Sequence, residues 1–598
     1  MHERLTKAKA LAVLSSDALS SVAYATEEIL LVLVLAGTAA LSASVPIAIV
    51  IAGLLAVVGT SYYQTIHGYP SGGGAYIVAH ENLGVWPGLT AAAALLIDYV
   101  LTVAVSISAG VVAVTSAFPS LSAFRVELCL VLVAMIAWGN LRGVRESGTL
   151  FAIPTYAFIA VFLSLLVTGF VRLATRTLDA AEPVISQASA HPLTLLLILR
   201  AFSSGCTALT GVEAISNGIP AFHKPEAANA GKTLIAMVAL LMTMFLGVTL
   251  LAHWLGLVPV EHESLVSQIG RRVFGDGWLY LGLQAVTTLI LILAANTSFA
   301  DFPRLSSILA RDGYVPRQMA NLGDRLVFSN GILMLAVLAG TVILVFGGQP
   351  HRMIPLYAVG VFLSFTLSQT GMVFHWQKLR SAGWSWRAGI NGVGALATGL
   401  VLVVLAESKL TGGAWIILLL IPAFVFLFRA IKRHYIGIAQ QLAVPHEGRL
   451  TAWSPDSEAR HKVIVPFSRL NRCSLAAVEF ARSLSRDVTA VIVDVDDEVT
   501  AGIAKRWEKL VPDVPLEVLQ SPFRSVIQPL VEYLDEVDRR DPERGPAVVV
   551  LPEVVPARWW HNLLHNQTAM MLKAVLLYRR SRSREERVII DVPYHLKR

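Results

Sequence analysis

The chain has 598 residues, of which 55% are hydrophobic and 15% are charged, and its formal net charge is +7. A soluble globular protein carries about 25% charged residues, so most of this chain is too apolar for a water-soluble fold. The three cysteines lie far apart and match neither a disulfide framework nor a metal-binding spacing. The basic residues follow the connections between apolar segments, which argues against nucleic-acid binding. No nucleophile–base pair or metal cluster indicates an enzyme.

Twelve apolar segments are predicted to cross a membrane as helices, which need about 20 residues each. In chain order, these spans are Ala8–Leu35, Val45–Ile66, Trp86–Phe118, Val126–Asn140, Leu150–Val171, Leu195–Phe222, Thr233–Leu255, Gly277–Ala300, Val327–Phe346, Met353–Trp376, Gly389–Leu405 and Ala414–Phe428. Loops on the side of the N terminus carry about twice as many Lys and Arg residues as the opposite loops, which predicts that both termini are cytoplasmic. No cleavable signal peptide is expected, and the predicted location is the cell inner (plasma) membrane.

Two spans contain polar interruptions. Leu14–Tyr24 in the first span places Asp17 among four serines, and Ser203–Glu213 in the sixth span contains hydroxyls, glycines and a carboxylate. Clustered Ser residues loosen a helix because their hydroxyls compete for backbone partners. Spans one to five and six to ten are then two halves of opposite topology, each opening with a broken helix. This 5+5 inverted repeat is typical of transporters, whose substrate sites lie at such breaks.

The pattern changes near residue 461, where short β-branched runs begin to alternate with amphipathic stretches. This alternation predicts a cytosolic α/β domain with a small parallel sheet over 461–598, after a membrane domain over 1–432 and a linker over 433–460. The predicted strands are Lys462–Pro466, Val488–Val495, Leu516–Leu519, Ala547–Leu551 and Val588–Val592. The predicted helices between them are Ser474–Leu484, Thr500–Leu510, Ser525–Val537 and Trp560–Tyr578.

Carboxylates inside the spans are the candidate functional groups. Asp17, Asp98 and Glu213 lie in the first, third and sixth spans, where a charge costs at least a few kcal/mol and is seldom kept without a role. Asp98, Thr102 and Ser106 share one helix face at i, i+4 and i+8. Ligands that are all oxygen suit a hard monovalent cation rather than a transition metal.

Hydroxyl groups extend this candidate site. Thr210 precedes Glu213 by three residues on the sixth span, and Tyr24 and Tyr357 are candidates either to donate a phenol oxygen or to gate the site. The alternatives are a carboxylate that caps a helix or pairs with a buried Arg, hydroxyls that bond back to their own helix, and interfacial tyrosines. Glu27 and Glu28 are more simply explained by proximity to the outer surface.

The glycine-rich turn Tyr69–Tyr76 lacks the Lys-Ser/Thr of a phosphate loop, and it is predicted to be a flexible or re-entrant connection. An amino-acid carrier binds its substrate carboxylate with exposed backbone N–H groups at a glycine-rich break. The first break has no glycine and carries Asp17, so the site is expected to attract cations and repel carboxylates.

Several of these stretches together resemble the KimA-type potassium importers, which are proton-coupled members of the amino acid–polyamine–organocation superfamily related to the KUP transporters. The resemblance runs essentially from end to end. The stretches that carry it are Leu14–Tyr24, Tyr69–Tyr76, Asp98–Ser106, Gly205–Asn217, Ala294–Thr297, Tyr357–Gly360 and Arg558–Gln567.

The resemblance implies a LeuT-type fold of twelve helices, a homodimer formed through the cytosolic domain, and a cytosolic domain like the universal stress proteins. It also implies high-affinity potassium uptake coupled to protons. The cation-site residues that it implies are Asp17, Tyr24, Asp98, Thr102, Ser106, Thr210, Glu213 and Tyr357.

The predicted C-terminal domain departs from one pattern. Stress-protein domains that bind ATP carry a glycine-rich loop after the fourth strand, where this chain has Pro552–Trp559, so ATP binding is not expected. Relatives in some bacteria respond to cyclic di-AMP, and a regulatory cyclic di-nucleotide is therefore a further hypothesis, with no site identified. No other cofactor is expected.

The leading hypothesis is a potassium–proton symporter that works by alternating access. Asp17 and Asp98 neutralise the ion, and Glu213 carries the proton because a buried carboxylate can take up a proton near neutral pH. Asp98 is the second candidate for that role. An amino-acid or polyamine permease on the same fold is the first alternative, and a membrane-bound ion sensor is the second.

Overall fold

The computed structural model of the protein describes residues 4–72, 74–142, 148–178, 192–260, 263–321, 328–409, 413, 415–443, 462–521, 525–541, 546–556, 568–583 and 587–596. The chain divides into two compact units. One comprises Met1–Ser306 with Ser329–Leu427, and the other comprises Ser307–Phe328 with Phe428–Arg598. The first unit is built of helices, and the second contains a sheet.

Apolar runs with few charges produce the long helices of the chain. Up to the eighth span the helices are α1 (Lys7–Leu14), α2 (Ser16–Ser20), α3 (Ala25–Leu33), α4 (Ser44–Gly68), α5 (Ala75–Leu83), α6 (Val85–Ala117), α7 (Arg125–Leu141), α8 (Gly148–Ala174), α9 (Leu195–Gly205), α10 (Ala214–Asn217), α11 (Glu226–Trp254), α12 (Leu265–Phe274) and α13 (Trp278–Arg311). The next four are α14 (Ser329–Phe346), α15 (Pro350–Leu379), α16 (Trp384–Lys409) and α17 (Trp415–Gln441).

Twelve helical stretches among the described residues are long and apolar enough to cross a membrane, which confirms the number of predicted spans. Two of them end more than ten residues later than predicted. The eighth span was predicted to end at Ala300 but α13 continues to Arg311, and the twelfth was predicted to end at Phe428 but α17 continues to Gln441. The predictions followed hydropathy, whereas backbone hydrogen bonding carries a helix on past its apolar part.

Buried polar side chains connect several helices of the first unit. Ser61 Oγ of α4 donates to Asn391 Oδ1 of α16 at 2.5 Å, and Asn391 Nδ2 donates to Gln64 Oε1 at 2.7 Å. Thr398 Oγ1 of α16 donates to Gln369 Oε1 of α15 at 3.0 Å. Hydrogen bonds of this kind hold helices together in a membrane, where lipid tails are as apolar as the side chains and no hydrophobic effect drives the helices to associate.

The second unit contains a five-stranded parallel sheet in the order β3-β2-β1-β4-β5. This confirms the small α/β sheet predicted from the sequence. The strands are β1 (Val463–Pro466), β2 (Val488–Asp494), β3 (Leu516–Gln520), β4 (Val548–Val555) and β5 (Ile589–His595), and the helices are α18 (Arg472–Leu484), α19 (Asp497–Leu510), α20 (Ile527–Arg540) and α21 (Thr568–Ser583).

Alternate residues of the central strands pack on opposite faces of the sheet, as strand geometry requires. Val465, Ile492 and Val550 join a core that contains Trp507 of α19. Ile464, Val491 and Val549 join a second core with Leu530 and Leu534 of α20. Both faces of the sheet are therefore covered, which explains why the strands read as continuous apolar runs.

Strand β4 is longer than predicted. Its predicted end was Leu551, but pairing with β5 continues to Val555, which lies opposite His595. Pro552–Val555, assigned from the sequence to the connection after the fourth strand, are therefore part of the strand. The tail motif Arg558–Gln567 lies outside the described residues.

The end of α17 packs within the second unit. Leu442, Cys473 and Leu596 form a small buried cluster, against which Ile438 and Tyr594 pack. The first residues of the predicted linker, 433–441, are helical, and residues 444–461 lie outside the described part of the chain. All three cysteines of the chain are buried free thiols.

Candidate cation-binding site

The first span is interrupted twice. Helix α1 ends at Leu14, α2 begins at Ser16, and a 3₁₀ turn over Ser21–Ala23 leads to Tyr24, where φ is −130° and the α-helix is broken. Serine hydroxyls replace part of the regular ladder, because Ser20 Oγ donates to the carbonyl of Asp17 at 2.8 Å and Ser21 Oγ to that of Ala18 at 2.7 Å. The interruption predicted over Leu14–Tyr24 is present.

The interruption of the sixth span lies later than predicted. Ser203 and Ser204 were predicted to begin the interruption, but both are still helical residues of α9, which ends at Gly205. A 3₁₀ turn over Cys206–Leu209 follows, and Thr210 is extended with ψ of 148°. The Thr-Gly pair was the decisive signal, since Gly211 has φ of +78°, which only glycine adopts readily.

The two interruptions pack directly against each other. A Cβ atom built on Gly211 would lie 2.6 Å from the backbone nitrogen of Ala18 and 2.8 Å from Asp17 Oδ2. Ser21 Oγ also contacts the carbonyl of Ala208 at 3.3 Å. Glycine at 211 thus lets the sixth span approach the carboxylate of the first.

The third and tenth spans complete the site. Asp98, Thr102 and Ser106 are buried along α6 and share one face, one turn apart. A Cβ atom on Gly360 of α15 would lie 3.2 Å from the carbonyl of Ala94 and 3.9 Å from Asp98 Cβ, so α15 runs close to α6 at Asp98. Tyr357 lies one turn earlier on α15 and is fully buried.

Three carboxylates from three spans meet in this region. Asp98 interacts electrostatically with Glu213 and Asp17, and Glu213 with Asp17. Asp17 Oδ1, Asp98 Oδ1 and Glu213 Oε2 are each buried without a hydrogen-bond partner among the described residues. Buried carboxylate oxygens without partners are costly, and a bound cation supplies both the missing contact and the opposite charge.

Hydroxyl groups lie beside the carboxylates. The Tyr24 hydroxyl lies beside those of Thr210 and Tyr357, and the Tyr357 hydroxyl also lies beside that of Thr210. Thr210 Oγ1 donates to the carbonyl of Thr207 at 2.8 Å, so its hydroxyl does bond back to its own segment, as the alternative interpretation held. Its lone pairs remain available to a cation.

The structure brings six of the eight predicted residues into one connected group, which comprises Asp17, Tyr24, Asp98, Thr210, Glu213 and Tyr357. Thr102 and Ser106 are placed by the α6 face that they share with Asp98, rather than by a contact described with the other carboxylates. Their oxygens line up along the helix beyond Asp98.

Asp301 is a fourth carboxylate that the sequence analysis missed. It interacts electrostatically with Asp17 and Glu213 and forms an ion pair with Arg304 at 3.2 Å. The predicted eighth span ended at Ala300, and Asp301 is the next residue, so the prediction left it out. The buried series Phe299, Phe302, Leu305 and Leu309 follows helical spacing and would have extended the helix past Asp301.

Tyr62 of α4 is a second missed residue. It is fully buried, lies close to Ser368, and interacts electrostatically with Glu213 and Asp98. A tyrosine in the middle of an apolar span carries no positional signal in the sequence, so only the fold assigns it to this group.

The turn that follows α4 lies against the end of the sixth span. A Cβ atom on Gly74 would lie 2.9 Å from Asn217 Oδ1, and Gly72, with φ of +103°, faces the carbonyl of Asn217. The N-terminal segment reaches the same region, because the Leu5 N–H donates to the carbonyl of Ala221 at 2.7 Å. Both contacts lie at the end of the helical bundle where the N-terminal segment begins.

The fold and the first family match define the class of protein. Residues 5–427 match the family model described as amino acid permease, and the helices of that range include the two interrupted spans. The protein is a helical polytopic membrane transporter with the amino acid permease architecture.

Within that class, the chain belongs to the KimA family. Residues 459–594 match the model described as the KimA potassium transporter C-terminal domain. The potassium transporter KimA of Bacillus subtilis (strain 168) is 45% identical over 601 residues, covering 100% of this chain and 97% of that protein. The family resemblance stated from the sequence is confirmed.

More distant similarities are shorter. A probable potassium transport system protein Kup of Pseudomonas aeruginosa (strain LESB58) is 25% identical over 301 residues, which is 49% of this chain and 45% of that protein. A crystal structure of a manganese transporter of Eremococcus coleocola, in complex with an aromatic bis-isothiourea compound, matches with a TM-score of 0.40 and 12% identity. That match covers 72% of this chain and 94% of the other.

Proposed function

We propose that the chain transports potassium ions across the membrane and that Asp17, Asp98 and Glu213 hold the ion. One observation carries the proposal: three buried carboxylate oxygens, one from each residue, have no hydrogen-bond partner among the described residues and lie where the two interrupted spans meet. The end-to-end similarity to a potassium transporter supports the choice of ion.

The ion is bound by oxygen atoms from charged and neutral groups. Asp17 and Asp98 neutralise its charge, and Tyr24, Thr210 and Tyr357 provide hydroxyl oxygens beside them. Thr102 and Ser106 offer further oxygens along α6, and the carbonyls freed at the broken helices complete the shell, as oxygens of unwound backbone do in transporters of this design.

Transport is coupled to protons, with Glu213 as the proton carrier and Asp98 as the second candidate. Three neighbouring carboxylates cannot all stay ionised cheaply around one monovalent cation in a buried site, so one of them is protonated while potassium is bound. The proton and the potassium ion then occupy the cluster together and cross the membrane in the same direction.

The finer architecture belongs to the same proposal. The bundle is a LeuT-type 5+5 inverted repeat in the inner membrane with both termini cytoplasmic, supported by the paired interruptions and by the loop charges. The domains are 1–432, a linker over 433–460, and a cytosolic domain over 461–598. That last domain resembles the universal stress proteins and joins two copies into a homodimer, which mass measurement in detergent tests.

A cyclic di-nucleotide is the proposed regulator of the C-terminal domain. The test compares thermal unfolding of the full chain without ligand, with cyclic di-AMP and with ATP. Stabilisation by cyclic di-AMP alone supports the proposal, and equal melting curves in all three conditions contradict it.

Potassium uptake into proteoliposomes tests the function. Wild-type protein is assayed with and without an inward proton gradient, beside Asp98→Asn and the control Glu127→Gln, an exposed carboxylate in the first turn of α7. We expect uptake that the gradient stimulates, lost in Asp98→Asn and kept in Glu127→Gln. Uptake that ignores the gradient contradicts proton coupling but not potassium transport.

The same assay separates the alternative functions. Competition by arginine or putrescine identifies an amino-acid or polyamine permease. Potassium binding by folded protein without flux identifies an ion sensor. For the proton carrier, Glu213→Gln should make uptake less dependent on pH, and an unchanged pH dependence would remove that assignment.

A further inference from the structure

A second group of titratable side chains lies at the end of the first span that is remote from the N terminus. Glu27 and Glu28 occupy the first turn of α3, and both are almost completely buried. His351, in the first turn of α15, contacts both: its Nδ1 lies 2.6 Å from Glu28 Oε1 and its Nε2 lies 3.5 Å from Glu27 Oε1. The imidazole is 38% exposed, so it links two buried carboxylates to the surface of the bundle.

Few other charged groups face this cluster. Arg125 at the start of α7 interacts electrostatically with His351. The backbone N–H of Leu265, at the start of α12, donates to Glu27 Oε2 at 3.1 Å and holds that carboxylate in place. The residues that α6 and α13 contribute nearby, including Ala113 and Thr287, are neutral.

A small cavity joins this cluster to the cation site. Its volume is about 20 Å³, and its lining includes Glu27, His351, Tyr24 and Ser264. A cavity needs about 10–15 Å³ to hold one water molecule, so this one has room for a single water. Glu28, although bonded to the same histidine, is not among the lining residues.

Tyr24 belongs to both places. Tyr24 lines the cavity, and its hydroxyl lies beside Thr210 and Tyr357 and interacts electrostatically with Asp17. Polar groups therefore succeed one another from the exposed imidazole, through Glu27 and the cavity, to Tyr24 and the carboxylates of the site. Ser264 and Thr287 are the other polar residues among the described ones that line the cavity.

We propose that Glu27, Glu28 and His351 form the proton entry site of the transporter, on the outer side, and that the proton passes through one water in the cavity to Tyr24. This inference rests on the proposed proton coupling. His351 receives a proton from outside and passes it to Glu27, and Glu28 holds the imidazole in place. The water and the Tyr24 hydroxyl each accept one proton and release one, so the only net change is a protonated carboxylate in the cation site.

A matched pair of variants tests the route. Glu27→Gln removes the carboxylate that contacts His351 and lines the cavity, whereas Glu127→Gln removes an exposed carboxylate in the first turn of α7. The two variants, His351→Gln and the wild type are reconstituted separately, and two rates are measured for each protein. The first is potassium uptake across a range of external pH, and the second is potassium–rubidium exchange at equal pH on both sides. Exchange needs a working cation site but no net proton entry.

We expect Glu27→Gln and His351→Gln to lose the stimulation of uptake by external acid while keeping exchange, and Glu127→Gln to keep both. The route is overturned if Glu27→Gln retains the wild-type pH profile, if it loses exchange together with uptake, or if Glu127→Gln behaves in the same way as Glu27→Gln. Wild-type uptake that ignores external pH contradicts the proton coupling itself, which is a different failure.

Discussion

At the scale of single residues, the site is defined by what its carboxylates lack. A buried polar atom without a partner costs about 1–3 kcal/mol, and a charged one costs more. Asp17, Asp98 and Glu213 each present one such oxygen to the same region. In the proposed site, a bound cation would supply both the contact and the opposite charge that these three oxygens lack.

Potassium should consequently stabilise the folded protein. In detergent, we expect a higher melting temperature in potassium chloride than in choline chloride, because a ligand at a hundred times its Kd adds about 2.7 kcal/mol to the folded state. Asp98→Asn should lose the difference, and Glu127→Gln should keep it. Wild-type melting curves that coincide in the two salts would contradict the site.

Asp301 offers a test of charge alone. Because it faces Asp17 and Glu213, Asp301→Asn should weaken the attraction for a cation by about 1 kcal/mol, which raises the half-saturating potassium concentration about fivefold. Arg304→Gln removes the opposing charge of the ion pair and should lower that concentration. Concentration dependence of uptake measures both, and shifts in the same direction would rule out an electrostatic role.

At the scale of elements, the two interrupted spans position the site. Serines break the first span, and Gly211 bends the sixth so that its backbone meets Asp17. The interruption of the first span was predictable because four serines surround a carboxylate. The start of the interruption in the sixth span was wrongly predicted at Ser203, because two serines inside α9 gave the same signal without breaking the helix.

Gly211→Ala should abolish transport and lower stability by about 1–3 kcal/mol, since alanine resists a φ of +78° and its Cβ would lie 2.6 Å from the Ala18 nitrogen. Gly53→Ala is the matched control, because Gly53 lies inside α4 with nothing within 4 Å of an added Cβ. Thermal unfolding and uptake report both effects. Equal losses in the two variants would remove the special role of Gly211.

Element boundaries were the least predictable feature. Hydropathy located all twelve spans, but it ended the eighth at Ala300 and therefore lost Asp301, which the helix carries into the bundle. Strand β4 was cut short at Leu551 because Pro552 and Glu553 read as a loop. Pairing with β5 holds those residues in the strand, and pairing is a long-range effect that a local pattern does not contain.

At the scale of the whole molecule, two parts with different chemistry lie in one chain. Low charge predicted the bundle, and alternating β-branched runs predicted the sheet, so both folds were accessible from the sequence. The contacts between spans were less accessible, because Tyr62 resembles any other tyrosine in an apolar helix. The carboxylates could be singled out by the cost of placing charge in a membrane, and Tyr24 and Tyr357 were named as candidates without the contacts that the structure gives them.

All thiols should be unreactive in the folded protein. Burial, and then the charge of Glu553, raise the pKa of Cys473 to about 11, so its thiol stays neutral at pH 8, whereas an unfolded cysteine ionises near pH 8.5. Cys129 and Cys206 are fully buried. We expect no maleimide labelling of native protein at pH 8 and three labels after unfolding in detergent and urea.

The control for that experiment is Ala501→Cys, at an exposed position of α19, which should take up one label in the native state. Native labelling of wild-type protein would show that one of the three thiols is accessible. Mass spectrometry of the labelled peptides identifies which one.

Selection for heat resistance acts against transport in this chain. Asp17, Asp98 and Glu213 carry oxygens that nothing in the described bundle satisfies, so replacing any of them by a neutral residue should raise the melting temperature of potassium-free protein while it destroys the site. A screen for thermostable variants that is run without potassium will therefore enrich variants that no longer transport. In saturating potassium the same screen will select against those substitutions, because bound potassium stabilises the wild-type protein and the substituted proteins no longer bind it.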